Sequence, residues 1–66
     1  GGMCLSNVYR NQIGDDNLLL SNVQRIESHG GRIVLTDILE RQVTIEGELQ
    51  MADLVDGKVI IVPKQD

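Results

Sequence analysis

The chain has 66 residues, six basic against ten acidic for a net charge of −4, one cysteine and a single aromatic residue, Tyr9. That size allows one small domain whose core is marginal without help from a metal, a disulfide or a second chain. The charge argues against a nucleic-acid surface, one cysteine cannot close an internal disulfide, and no apolar run is long enough to cross a membrane.

Taken in order, the chain opens Gly1-Gly2-Met3-Cys4. The glycine pair looks like a tag scar, which places the natural start at Met3 and makes Cys4 its second residue. Cys4 to Tyr9 reads as a first strand. Gly14-Asp15-Asp16-Asn17 is a turn cluster, because these residues tolerate turn dihedrals and bond their own backbone. Leu18-Leu19-Leu20 follows, then a short break at Ser21-Asn22, then Val23 to Glu27 as a further strand or an extended continuation.

Ser28-His29-Gly30-Gly31 is the clearest hairpin connection, since two glycines supply the positive φ of a tight turn. Arg32 to Ile38 is the strongest strand, and its continuous apolar centre at Ile33-Val34-Leu35 predicts burial on both faces there. Asp37 to Glu40 reads as a strand end or a loose turn. Val43 to Glu46 alternates apolar with polar and should have one wet face. Gly47 permits a kink or bulge. Glu48 to Leu54 is a further strand, and Asp56-Gly57 marks a second hairpin. Val59 to Val62 closes the domain before Pro63, which cannot donate to a ladder.

These segments predict an all-β domain over residues 3–62, a small antiparallel six-stranded barrel of Sm or SH3 type, with 63–66 as a tail. The core is Val, Ile and Leu only. Apolar surplus at Met3, Leu5 and the Leu18 run predicts a homodimer.

Three groups are candidates for chemistry. Position alone favours a packed, unreactive Cys4. Its functional reading is geometric: a Met3 amine, the Cys4 amide nitrogen and the Cys4 sulfur form two fused five-membered chelate rings. Such nitrogen–thiolate sets suit Ni(II) or Cu(II), and a second thiolate from a symmetry-related chain would complete a square. His29 reads as a solvated turn residue. Asp15-Asp16, Glu46 with Glu48, and Asp53 with Asp56 read as solvated or locally bonded carboxylates. Met3 and Met51 read as packing residues rather than sulfur ligands. No nucleophile, acid–base pair or phosphate loop is visible, so the chain is expected not to be an enzyme.

Met3-Cys4-Leu5-Ser6-Asn7-Val8-Tyr9 resembles the start of the CooT family of small nickel-binding proteins. The likeness continues through Val23, Ile26 and Glu27, through Ile33 to Leu39, through Val43 and Gly47, and ends at Asp53-Leu54 and Val59-Ile60-Ile61. The resemblance implies a homodimeric small β-barrel that binds Ni(II) through Cys4, beside Met3, and serves nickel delivery to carbon monoxide dehydrogenase or its maturation factors. It implies a metallochaperone or store, and the lack of a secretory apolar region, with a single free thiol, gives the expectation of a cytoplasmic protein. The competing expectation is a small barrel that binds RNA or a protein partner, with Cys4 merely structural.

Overall fold

The computed structural model describes residues 5–64. Five strands follow one another: β1 (Ser6–Arg10), β2 (Leu18–His29), β3 (Arg32–Asp37), β4 (Gln42–Asp53) and β5 (Lys58–Pro63). A single 3-10 turn, Asp15–Asn17, precedes β2. The strands close into a barrel in sequence order, with β5 returning to β1. No helix among the described residues is long and apolar enough to cross a membrane.

Two expectations need correction. There are five strands among the described residues, not six, because long strands run on through Ser21-Asn22, read as a short break, and through Gly47, where the expected kink bends β4 without ending it. Ser21-Asn22 does not end a strand: Asn22 takes φ 57, a left-handed conformation asparagine tolerates, and the chain stays extended through it. The β1–β2 and β2–β3 ladders shift register around this point. Gly47 plays the same part in β4. A Cβ there would lie 2.4 Å from the Val62 carbonyl oxygen and 2.7 Å from Pro63 Cα, so only glycine lets the strands approach so closely. Each bent strand thus serves two neighbours, its first half one and its second half the other.

Second, the sheet is not wholly antiparallel. Four seams are antiparallel, but β1 runs parallel to β5, with Asn7 opposite Lys58 and Arg10 opposite Ile61. An odd number of strands leaves first and last pointing the same way when each hairpin reverses direction. β1 begins at Ser6 and β3 ends at Asp37, each short of the expected span; Cys4, expected to open β1, lies outside the described residues.

Both hairpin signals form turns. Gly30 (φ 54) and Gly31 (φ 86) make the two-residue connection between His29 and Arg32. Leu54 to Gly57 links β4 to β5, with Gly57 at φ 70. The core is Val8, Val23, Ile33, Leu35, Val59 and Ile61, joined by the nearly buried Tyr9. Leu35 faces Ile26 across one seam and Ile33 faces Ile45 across the next. Each fully buried aliphatic side chain contributes about 1.5–3 kcal/mol relative to exposure. Val34, between Ile33 and Leu35, is only half-buried, so β3 alternates at its centre instead of being covered on both faces.

Candidate metal centre

Met3 and Cys4 lie outside the described residues, but the ground on which they stand is described. Leu5 leads into β1 between two partners. On one side Ser6 pairs with Val23 of β2. On the other, the Asn7 N–H donates to the Gly57 carbonyl at 2.8 Å. Gly57 is needed there on two counts: its φ is 70, and a Cβ would sit 2.8 Å from the Leu5 carbonyl oxygen. The residue attached to Cys4 is therefore held against the β4–β5 turn.

Among the described residues, no three His, Cys, Asp or Glu side chains gather in a way that could hold a metal ion. His29 ends β2, six residues beyond Val23, or about 20 Å of extended strand. It is exposed, with Nε2 3.3 Å from Glu27 Oε2. The acidic pairs are likewise apart from the chain entry or locally engaged. Asp15 and Asp16 lie exposed in the 3-10 turn, and Glu46 and Glu48 flank Gly47 in exposed positions. Asp53 Oδ1 accepts the N–H groups of Val55 and Asp56 at 3.0 and 3.1 Å. Met51 is half-buried in β4, as a packing residue would be.

One residue was missed from sequence. Asp37 looked like a strand end but is almost wholly buried. Its Oδ1 accepts from the Leu39 and Arg41 N–H groups, both at 2.9 Å, and its Oδ2 from Arg41 Nε at 2.7 Å. Burial pushes this carboxyl up, but the Arg41 N–H, its guanidinium and the Leu39 N–H together outweigh burial and hold it below 3.8. With both oxygens engaged it ties the β3–β4 loop and is not a spare ligand. The legible signal was an Asp two and four residues before amides it could cap, with Arg at the fourth. Beside it, a groove of about 330 Å³ is lined by Leu18, Leu20, Asn22, Ile38 and Leu39 among others.

Tyr9, the sole aromatic residue, is 7% exposed and offers no stacking face.

The family model described as CO dehydrogenase accessory protein CooT matches residues 3–62. Among solved structures, the fold is similar to a crystal structure assigned to CooT from Carboxydothermus hydrogenoformans, with a TM-score of 0.79 at 19% identity, over 94% of this chain and 100% of that one. No curated protein sequence shows a match.

Proposed function

The chain belongs to the CooT family of CO dehydrogenase accessory proteins, and from that premise we propose that it is a cytoplasmic Ni(II) carrier or store acting in nickel-enzyme maturation. It holds the metal through Cys4 and the adjoining Met3 segment, with one Cys4 thiolate from each chain of a homodimer. Its role is to deliver a metal, not to catalyse a reaction. Its client is a nickel enzyme of the carbon monoxide dehydrogenase class or one of its maturation factors.

The observation that carries this reading is the family match over residues 3–62, which takes in Met3-Cys4. The donor chemistry supports it. A thiolate with adjacent nitrogen donors suits Ni(II) better than a hard cation, which prefers oxygen. The free amine adjoins Cys4 only if the chain starts at Met3, so Gly1-Gly2 should change affinity or geometry. The same residues without a metal role describe an interaction module for RNA or protein. The buried Tyr9 and the net charge of −4 weigh against RNA.

The test is a nickel titration of protein beginning at Met3 beside its Cys4→Ser variant. The parent should take up about one Ni(II) per dimer and develop a sulfur-to-nickel charge-transfer band in the near ultraviolet. The variant should lose the band and most of the affinity while staying folded. Equal affinity in the two proteins removes Cys4 as the ligand.

A further inference from the structure

An aspartate followed by glycine carries a reaction of its own. The main-chain nitrogen of the second residue can attack the side-chain carboxyl of the first, and glycine, having no Cβ, leaves that approach open. Asp56-Gly57 is the one such pair in the chain.

The β4–β5 turn leaves both reacting groups disengaged. Gly57 has φ 70, and among the described residues its N–H donates to no carbonyl or side chain. The Asp56 carboxylate has no hydrogen-bond or ion-pair partner among the described residues either. Its own N–H is held by Asp53 Oδ1 at 3.1 Å, which fixes the chain before Asp56 and leaves the peptide link after it unheld. The other described aspartates are guarded. Asp37 has both oxygens engaged and precedes Ile38. Asp53 accepts two N–H groups and precedes Leu54. Asp15 and Asp16 precede residues that carry side chains.

We propose that Asp56-Gly57 is a site of spontaneous isoaspartate formation in the folded protein. The Gly57 nitrogen bonds to Asp56 Cγ, and the hydroxyl of the protonated carboxyl leaves as water with the amide proton. The succinimide ring so formed then takes up water. Opening at the side-chain carbonyl restores aspartate. Opening at the main-chain carbonyl leaves the chain running through the Asp56 side-chain carbons, with a free α-carboxylate beside it. The step is internal to one chain, so it needs no partner, no metal and no open face.

The change falls where the barrel has no slack. It adds one carbon to the main chain just before Gly57, and a Cβ on Gly57 would already lie 2.8 Å from the Leu5 carbonyl oxygen. A displaced Gly57 carries off the carbonyl that accepts the Asn7 N–H at 2.8 Å, where the parallel seam between β5 and β1 begins. Isomerised molecules keep the core side chains and lose the start of that seam.

The experiment ages the folded protein for weeks in neutral buffer, beside its Asp56→Glu variant and beside the parent held in urea. Isoaspartate is counted with an isoaspartyl carboxyl methyltransferase, which methylates the new α-carboxylate from S-adenosylmethionine, and is placed by peptide mapping. The folded parent should accumulate it at Asp56, several-fold above any other aspartate, preceded by a species lighter by one water. Asp56→Glu should lose the signal, because its ring would be one member larger and closes far more slowly. Aged parent should melt lower than fresh parent, with faster hydrogen exchange at Asn7. Isoaspartate that forms in urea but not in the folded protein overturns the proposal, since the turn then holds the two groups apart. Equal amounts at the other aspartates overturn its assignment to Asp56. Aged protein that melts and exchanges as fresh protein does removes the consequence for the seam.

Discussion

Arg41 Nε donates to Asp37 Oδ2 at 2.7 Å from a side chain that is 70% exposed to one that is 1% exposed. The pair sits at the boundary of the barrel, with the carboxylate inside and the guanidinium outside. Arg41 also donates its backbone N–H to the same carboxylate, so a single residue closes the loop twice. Because the folded state holds this carboxyl below its ordinary value, the stabilisation is present above the unfolded pKa near 3.8 and is lost as pH falls through the lower folded value. Asp37→Asn should lower the thermal midpoint at neutral pH and flatten the loss of stability below pH 4. Melting curves across pH 2–7 for the two proteins check this; parallel pH profiles would remove Asp37 from the acid response.

Leu35 is fully buried between β2 and β4. Leu35→Ala should cost about 2–5 kcal/mol of unfolding free energy, measured in urea. In the parent protein, hydrogen exchange should be slow along Arg32–Asp37 and fast at Gly30-Gly31. Uniformly fast amides in β3 would contradict its central place.

Gly57→Ala should destabilise by about 1–3 kcal/mol, from the left-handed φ and from displacing Leu5. It should also change nickel affinity, because the strand entry next to Cys4 must shift. Gly30→Ala is the control. It has the same sign of φ but nothing within 4 Å of the added Cβ, so it should cost stability without touching nickel binding. Equal effects on the metal from both substitutions would separate Gly57 from the site.

Nickel binding should weaken on acidification, as protons compete for thiolate and nitrogen donors. His29→Ala should leave affinity and the charge-transfer band unchanged, since His29 stands at the far end of β2. Titrations at several pH values with both proteins check this, and a displaced midpoint in the variant would bring His29 back as a ligand.

Affinity for single-stranded RNA at physiological salt should be weak and non-specific, as expected of an acidic chain whose aromatic ring is buried. Submicromolar binding, steeply salt-dependent, would favour the interaction-module reading.

Much of the fold was legible because its turns carry residues that do one thing well. Gly30-Gly31 and Asp56-Gly57 fell at hairpins, and the β3 segment held the core. Ser21-Asn22 was misread because an asparagine at positive φ bends a strand as readily as it ends one, and only the neighbours decide. Asp37 was legible as a carboxylate spaced to cap the Leu39 and Arg41 amides, but its burial was not, since spacing alone does not say that the loop folds over it. Leu54 looked like a strand end, with Val55 opening the hairpin; composition does not say that a turn will hold apolar residues out in water. For the proposed site the reverse holds: Met3-Cys4 speaks through residue type and order, while Leu5 and Gly57 speak only through the parallel seam.

That seam joins Asn7 to Lys58, two of the most sequence-distant partners in the barrel. Contacts between distant residues form late, because a long loop must close before they bring any reward. On a growing chain, β1 can meet β2 early but has no second neighbour until β5 has been synthesised. The footing of the strand that leads on from Cys4 is therefore finished last. A chain stalled or cut before Lys58 would lack the parallel seam under Asn7, so, on the nickel-carrier proposal, loading that depends on the closed barrel would reach only complete molecules.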